Sequence, residues 1–335
     1  MSLRQGLSEI YPPNPTFTEK DLPDLSGKVY FITGGTSGIG LSLAKMLYAK
    51  NARVYITSRS VDSASKAITL IKESAKATTG EVRFVVLDLS DLETVAPAMD
   101  KFLAQESHLH VAWMNAGVMN VPKGSRTKQG YELQWGTNVV AHFIINQMIT
   151  PILVSTARTA PRGSVRVVWV SSDGHGFFSP KGDGIDWDDI GTKDPSTWKA
   201  DKGQYTYYGQ SKVGNILLAK EFAKRYKDAG VVGLSLNPGH LKTNLQRHGS
   251  TGLASSLISK LLLHDPSLGA LTELYAGFSS DVGLQQTGAY IIPWGRLGKI
   301  RKDIEEGFQH GGTGNKLWMT MERETKRYYS ASEES

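Results

Sequence analysis

Two tyrosines and a lysine stand close together in YYGQSK, residues 207 to 212. Side chains four residues apart lie on one face of a helix, so Tyr208 would meet Lys212 while Tyr207 would meet Ser211. A free phenol has a pKa of about 10 and is a poor acid or base at neutral pH. Because a neighbouring ammonium group favours the phenolate, Lys212 would lower the pKa of Tyr208 and let it exchange protons. The alternative is a packed tyrosine beside a lysine in water.

A glycine-rich stretch, TGGTSGIG at residues 33 to 40, follows a candidate strand and opens a candidate helix. Gly34, Gly38 and Gly40 permit a tight turn, close approach of the backbone to a pyrophosphate, and close packing of helix on strand. The free N–H groups of the helix N-terminus suit the phosphates. The pattern predicts a dinucleotide site, with a purely structural turn as the alternative.

The next two candidate strands end in residues that bear on the choice of dinucleotide. An NAD site usually has an acidic residue after its second strand, whereas this chain has Ser58 and Arg59. Because these side chains suit a 2′-phosphate, the sequence predicts NADP(H), with a solvated surface arginine as the alternative. Asp88, which closes the third strand, could reach the adenine amino group or cap the helix that begins near Asp91.

Strands and helices alternate along the chain and must position these groups. Apolar runs predict seven strands, at residues 28–33, 53–57, 82–87, 110–114, 165–170, 231–237 and 289–293. Amphipathic stretches predict helices at residues 38–50, 62–78, 91–106, 129–158, 204–229 and 266–280. Several strands are apolar throughout, as strands covered on both faces are. The fold class is therefore α/β, a single Rossmann-type doubly wound domain with a mostly parallel seven-stranded sheet.

The predicted organisation has three segments, and two stretches within the central segment stand out. A polar, proline-rich lead-in covers residues 1–26, the dinucleotide-binding domain covers 27–298, and a C-terminal extension covers 299–335. Residues 173–203 are an insert at the active site, because a loop of that length in a compact domain is usually functional. Residues 244–265 contain a short amphipathic helix, either a lid over a pocket or an ordinary packing helix.

Composition excludes several classes of protein. The 335 residues contain no cysteine, which rules out disulfides, thiolate nucleophiles and cysteine-based zinc sites. The net charge of +6 is scattered without a basic run, so we expect no nucleic-acid partner. His108 and His110 lack a nearby carboxylate cluster, so no metal site is expected. With no secretory signal and no membrane-spanning stretch, the expected location is the cytoplasm.

Further motifs follow in a fixed order: NAG at 115–117, TNVVAHF at 137–143, VSS at 170–172, YxxxK at 208–212 and NPG at 237–239. Together with the glycine-rich stretch, they resemble the short-chain dehydrogenase/reductase family over about residues 27 to 293. The residues within and around these motifs, including the stretch NPGHLKTNL, are similar to those of the retinol dehydrogenase-like and WW-domain oxidoreductase-like branch. Two departures, Met114 before NAG and Ala141 in the NVVAHF helix, remove no reacting group.

The resemblance implies a catalytic role for four residues. Tyr208 matches the catalytic tyrosine and Lys212 the lysine that also holds the nicotinamide ribose. Ser172 matches the residue that binds the substrate oxygen, with Ser171 as the alternate if the register differs by one. Asn138 matches the asparagine whose interrupted helix holds a water in a proton relay. The cofactor-binding residues implied are Gly34, Thr36, Ser37, Gly38, Ile39, Gly40, Ser58, Arg59, Asp88, Leu89, Asn115, Ala116, Gly117, Tyr208, Lys212, Pro238, Gly239, Leu241 and Thr243.

The expected activity is NADP(H)-dependent interconversion of a small-molecule ketone or aldehyde and its alcohol. The substrate is expected to be bulky and apolar, because aromatic residues crowd the insert and the start of the active helix: Phe177, Phe178, Trp187, Trp198, Tyr205 and Tyr207. These rings could instead pack the insert, and His175 could touch substrate. Alternative functions are double-bond reduction, isomerisation, and a non-catalytic NADP-binding sensor or scaffold. The helices 129–158 and 204–229 resemble those through which relatives dimerise, and this resemblance implies a homodimer.

Overall fold

One sheet organises the protein, whose computed structural model describes residues 3–190, 203–243 and 263–330. Eight strands in these residues form the sheet in the order β3-β2-β1-β4-β5-β6-β7-β8. They are β1 (Val29–Ile32), β2 (Arg53–Ser58), β3 (Glu81–Val86), β4 (Val111–Met114), β5 (Val165–Val170), β6 (Val231–Leu236), β7 (Tyr290–Ile292) and β8 (Arg296–Gly298). The first seven are parallel, and β1 lies between β2 and β4. The order of the strands therefore reverses at β1, where ligands bind in doubly wound sheets.

The α/β doubly wound class is confirmed, but the predicted strand count of seven is wrong by one. The additional strand, β8, runs antiparallel to β7 and pairs Ile292 with Arg296. It has three residues, Arg296 to Gly298, and none of them is buried. Because so short and exposed a strand has no apolar run, only its pairing with β7 identifies it.

Helices cover both faces of the sheet. They are α1 (Leu3–Ile10), α2 (Gly38–Tyr48), α3 (Val61–Ser74), α4 (Val95–Leu103), α5 (Leu133–Ala157), α6 (Gly174–Phe177), α7 (Gln204–Tyr226), α8 (Pro266–Phe278), α9 (Lys302–His310) and α10 (Thr313–Thr325). The predicted helix at 129–158 begins later, at Leu133, because the Glu132 carboxylate caps it by accepting from the Trp135 N–H at 2.8 Å. The lid candidate at 244–265 lies outside the described residues except for its last three.

Successive side chains of a strand point to opposite faces of the sheet, so each face has its own hydrophobic core. In β1, Phe31 packs with α4, α5 and α7, while Tyr30 and Ile32 pack on the opposite face with α2 and α8. Such double coverage explains the continuous apolar runs. Helix α5 is the one described helix that is long and apolar enough to cross a membrane, and 78% of its apolar window is buried inside the protein. Its composition is thus explained by its place in the core.

The chain beyond β8 belongs to the same core. Leu317, Trp318 and Met321 of α10 are buried in the cluster that contains α5 and α7. The Trp318 ring packs edge-on against Phe143 of α5, with centroids 5.0 Å apart, and Arg225 of α7 lies over it. The chain's own α10 therefore covers part of the α5 and α7 surface on which the expectation of a homodimer rested.

Candidate active site

The glycine-rich turn after β1 has the geometry that the sequence predicts. Gly34 and Gly38 have φ angles of +70° and +56°, which favour glycine. A Cβ on Gly34 would lie 3.0 Å from Ala116, and a Cβ on Gly40 would lie 2.6 Å from Asn115 Nδ2. The absence of side chains thus lets the turn lie directly against the segment that follows β4.

Asn115 and two threonines hold this turn in place. Asn115 Nδ2 donates to the Thr33 carbonyl at 2.8 Å, and the Thr33 hydroxyl accepts from the Ala116 N–H at 2.9 Å. Thr57 Oγ1 accepts from the Gly34 N–H at 3.0 Å. The two threonines were not among the predicted site residues. The signal in the sequence was their place at the ends of β1 and β2, next to the turn.

A cavity of about 530 Å³ opens along this turn and the carboxyl ends of β1 to β4. The predicted residues that line it are Gly34, Thr36, Ser37, Gly38, Ile39, Ser58, Arg59, Asp88, Leu89, Asn115, Ala116, Gly117 and Thr243. Thr57, Arg126 and Thr137 line it as well and were not predicted. Gly40, Tyr208, Lys212, Pro238, Gly239 and Leu241 do not line it. A cleft with glycine turns and a helix N-terminus suits a dinucleotide.

The side chains predicted to select the cofactor differ in the hydrogen bonds and ion pairs that they already form within the protein. The Ser58 hydroxyl donates to the Ser60 carbonyl at 2.9 Å, so it is engaged within its own loop. Arg59 is exposed at the rim of the cavity and forms no ion pair within the part of the chain that the structure describes. Asp88 lines the cavity and accepts from the N–H and hydroxyl of Ser90, while Asp91 caps the helix that follows.

Asn138 sits at the centre of a π-helical turn, Gly136–Val140, inside α5. Its Oδ1 accepts from the Val118 N–H at 2.9 Å, and its Nδ2 donates to the Val118 carbonyl at 3.0 Å. The same Nδ2 donates to Ser211 Oγ on α7 at 3.0 Å. A Cβ on Gly117 would lie 3.2 Å from Asn138 Oδ1 and 3.6 Å from Lys212 Nζ. Gly117 therefore leaves a small space between these two polar side chains.

His142 links this turn to the glycine-rich turn. Its Nδ1 donates to the Asn138 carbonyl at 3.0 Å, so its Nε2 accepts from the Thr33 hydroxyl at 2.9 Å. Burial lowers the pKa of His142 to about 4, so the ring is neutral at pH 7, and the hydrogen bond to the Asn138 carbonyl fixes its tautomer. Both ring nitrogens of His142 are therefore hydrogen-bonded, one within its own helix and one to the end of β1.

Ser172, and not Ser171, faces the candidate catalytic tyrosine. Ser171 is buried, and its hydroxyl donates to the Lys212 carbonyl at 2.8 Å. Ser172 is half-buried and lies close enough to Tyr208 to lower the pKa of that phenol against the larger effect of burial. A Cβ on Gly174 would lie 3.0 Å from the Tyr208 ring, so the glycine two residues after Ser172 allows this approach.

Tyr208 and Lys212 lie on one face of α7, as their spacing predicts. The Lys212 Nζ is 5.4 Å from the centroid of the Tyr208 ring and donates to the Val170 carbonyl at 3.0 Å. Burial lowers the pKa of Lys212 to about 8. It also raises the pKa of Tyr208, opposed by the contact with Ser172. The pKa of Tyr208 thus moves in the direction opposite to the one expected from Lys212, because desolvation outweighs other effects.

The aromatic residues of the insert fall into two groups. Tyr207 is buried and donates to Asp189 Oδ2 at 2.9 Å, and Trp187 lies under the Lys316 ammonium, so both pack the insert against the body. Phe177, Phe178 and Tyr205 are 57%, 42% and 45% exposed. Trp198 lies outside the described residues.

Asp173 and His240, which lie beside Ser172, were not among the predicted site residues. Asp173 Oδ1 accepts from the Ser172 hydroxyl at 3.0 Å, and Asp173 Oδ2 lies 2.7 Å from His240 Nε2. His240 follows Gly239, whose φ of +95° and close approach to Trp294 require glycine. His175 is fully buried, with Nδ1 donating to the Ser172 carbonyl at 2.7 Å. The signal for His240 was its place directly after NPG.

The other residues predicted after β6 shape the end of the cleft. Thr243 lies against Gly38, where a Cβ would be 3.3 Å from its methyl group. Leu241 and the Pro238 carbonyl pack against Gly269 of α8. Residues 3–190, 203–243 and 263–330 contain no group of three or more His, Asp or Glu side chains that could hold a metal ion.

The sequence of this chain is similar to the sequences of one family of known proteins. The family model described as short chain dehydrogenase matches residues 28–179. A short-chain dehydrogenase/reductase from Phomopsis amygdali is 38% identical over 336 residues, which cover 98% of both chains.

Solved structures are similar to the fold as a whole. An uncharacterized protein from Mycobacterium paratuberculosis is 26% identical, with a TM-score of 0.64 over 92% of this chain and 97% of that one. The complex of Pseudomonas aeruginosa RhlG with NADP is 21% identical, with a TM-score of 0.61 over 83% of this chain and 97% of that one. By sequence, motif order and fold, this chain belongs to the short-chain dehydrogenase/reductase family.

Proposed function

We propose that the protein is an NADP(H)-dependent oxidoreductase that interconverts a ketone or aldehyde and its alcohol. One arrangement supports this proposal: Ser172 lies close to Tyr208, Lys212 follows one helical turn later, and Gly117, which lines the cavity, lies against Asn138 and Lys212. Two hydroxyl groups at one point can polarise a single substrate oxygen. Tyr208 is then the group that gives or takes the proton.

The residues around the cleft fit a nicotinamide dinucleotide. Gly34 and Gly38, whose left-handed φ angles form the turn that lines the cleft, would lie under the pyrophosphate, and Asp88 would lie near the adenine. When bound, the nicotinamide supplies or accepts a hydride. The protein's own task is to place the substrate carbon beside it and to manage the proton.

Proton supply to Tyr208 is the role of Lys212 and Asn138. Burial lowers the pKa of Lys212 to about 8, so at neutral pH its ammonium group is a better proton donor than an ordinary lysine. Gly117 leaves room between Lys212 Nζ and Asn138 Oδ1. A water in that space would receive hydrogen bonds from the ammonium and could pass a proton onward.

The preference for NADP(H) rests on Arg59. Its guanidinium group is at the rim of the cavity, it forms no ion pair in the described part of the chain, and no acidic residue follows β2 directly. RhlG, a structural neighbour, binds NADP. We expect NADPH to bind more tightly than NADH by about tenfold or more, which is about 1.4 kcal/mol.

Fluorescence titration with both cofactors at fixed low salt tests this preference. Arg59→Ala should weaken NADPH binding and leave NADH binding unchanged, whereas the exposed Arg158→Ala, on the far end of α5, should change neither. Equal binding of both cofactors by the native protein would remove the role of Arg59 and leave the enzyme proposal intact. If neither cofactor binds, the oxidoreductase proposal is wrong.

We also propose a bulky, apolar substrate such as a polyketide, alkaloid, terpenoid or steroid-like carbonyl compound. Phe178 and Tyr205 lie between Ser172 and Tyr208 in the chain, and their exposed rings are tilted by 35° with centroids 5.1 Å apart. Exposed aromatic rings beside a catalytic group bind apolar molecules well. A panel of carbonyl compounds tests this point, and a clear preference for short polar aldehydes would contradict it.

A further inference from the structure

A polar pair that the proposed reaction does not use lies directly behind Ser172. Asp173 shares its two carboxylate oxygens between two neighbours: Oδ1 accepts the Ser172 hydroxyl proton at 3.0 Å, and Oδ2 lies 2.7 Å from His240 Nε2. Ser172 Oγ in turn accepts from the Gly174 N–H at 3.1 Å. In this arrangement, Asp173 holds the only proton that Ser172 has to donate.

That arrangement conflicts with the role of Ser172 in carbonyl reduction. A serine hydroxyl has a single donor hydrogen, so Ser172 cannot donate to Asp173 and to a substrate oxygen at the same time. A carboxylate is a strong acceptor when its charge is uncompensated, and a second, charge-assisted hydrogen bond reduces that charge. His240 therefore controls how tightly Asp173 holds the Ser172 proton.

We propose that His240 is a positioning residue for the reaction at Tyr208, an inference that rests on the proposed function. By pairing with Asp173, His240 weakens the hold of that carboxylate on the Ser172 hydroxyl and leaves Ser172 free to donate to the oxygen of a carbonyl substrate. His240 touches neither reacting group itself and acts through Asp173.

The charges around the pair favour this role. The hydrogen bond to Asp173 raises the pKa of His240, and the negative charge of Glu9 on α1 adds to the effect. Burial opposes ionisation of Asp173, but its hydrogen bonds with His240 and Ser172 hold the pKa below its usual value.

Two further groups face this cluster. Arg296 on β8 lies near Glu9 and partly balances it, and His175 is buried beside Asp173. Burial lowers the pKa of His175 to about 4, so His175 is neutral and His240 is the titrating partner of Asp173. The Asp173 charge also adds to burial in raising the pKa of Tyr208. Loss of the His240 charge should therefore make Tyr208 harder to deprotonate.

The test is suppression of one substitution by another. We expect His240→Ala to slow carbonyl reduction about tenfold, the scale of one charge-assisted hydrogen bond. The double variant His240→Ala/Asp173→Asn should recover most of this loss, because a neutral amide oxygen holds the Ser172 proton only weakly. Removal of an exposed imidazole by His310→Ala should have no effect. A double variant as slow as His240→Ala, or slower, would overturn the proposal.

The pH profile of alcohol oxidation provides an independent test if His240→Ala does not fold. His240→Gln should shift the half-maximal rate to higher pH by about one unit, because the Asp173 charge near Tyr208 is then uncompensated, whereas Asp173→Asn should shift it to lower pH. An unchanged profile would count against the proposal. If Tyr208→Phe loses carbonyl reduction but the double variant shows no recovery, the role of His240 is rejected and the proposed function stands. Carbonyl reduction by Tyr208→Phe at the native rate would instead reject the proposed function.

Discussion

The ammonium nitrogen of Lys212 lies 5.4 Å from the centroid of the Tyr208 ring, whereas the neighbouring Tyr207 hydroxyl donates to Asp189 at 2.9 Å. Both tyrosines are buried, but only Tyr208 adjoins Ser172 and Lys212. The two phenols are therefore a matched pair for a test of the proposed catalytic role of Tyr208, with Tyr207 as the buried tyrosine that only packs.

Removal of the Tyr208 hydroxyl should abolish most of the activity. Tyr208→Phe loses the proton-transferring group, and we expect kcat to fall by roughly 10² to 10⁴ with cofactor binding retained. Tyr207→Phe removes a structural hydrogen bond, so it should lower the free energy of unfolding by about 1 kcal/mol and leave kcat nearly unchanged. Steady-state kinetics and denaturant unfolding of both variants check this pair. Equal losses of kcat would contradict the assignment.

Gly40 should tolerate no side chain. A Cβ there would lie 2.7 Å from the Gly34 carbonyl as well as 2.6 Å from Asn115 Nδ2, so Gly40→Ala must displace the turn that lines the cleft. We expect NADPH to bind on the order of tenfold or more weakly. Gly283→Ala is the matched control, because a Cβ at that position would have no atom within 4 Å. Calorimetric titration of both variants measures the difference, and unchanged binding by Gly40→Ala would argue against the cleft as the cofactor site.

Buried neutral histidines should make the fold sensitive to acid. Burial lowers the pKa of His142 to about 4, so between pH 6.5 and 4 the unfolded chain binds a proton that the folded chain does not. The free energy of unfolding therefore falls as the pH drops through this window, by about 2 kcal/mol at pH 5 for one such group. His142→Gln should reduce the difference between unfolding at pH 7 and pH 5. The exposed His310→Gln should leave it intact, and an equal pH dependence in all three proteins would contradict this account.

Trp318 should anchor the C-terminal helix to the body. Its ring is buried against Phe143, so we expect Trp318→Ala to lower the free energy of unfolding by about 3 to 5 kcal/mol. The adjacent Met319→Ala serves as the control, because Met319 is 52% exposed. Light scattering of the same variants reports association, since loss of the anchor would uncover apolar surface on α5 and α7. Similar stability of both variants would show that α10 contributes little to the core.

The sequence by itself determined the features that depend on the spacing of residues close together in the chain. Residues four apart on a helix placed Tyr208 and Lys212 on one face, and the glycines after β1 predicted the turn that the φ angles of Gly34 and Gly38 show. Continuous apolar runs predicted a parallel sheet, because strands covered on both faces bury every side chain.

Only the tertiary structure decided what depends on groups far apart in the chain. Asp173 and His240 are 67 residues apart and meet only because β5 and β6 end side by side. The direction of the Tyr208 pKa shift likewise follows from desolvation by the surrounding fold, which no spacing in the sequence reveals. Strand β8 exists through its pairing with β7, and α10 joins the core through Trp318. Local spacing specifies which side chains can act together, whereas packing sets their surroundings, and the surroundings set their proton affinities.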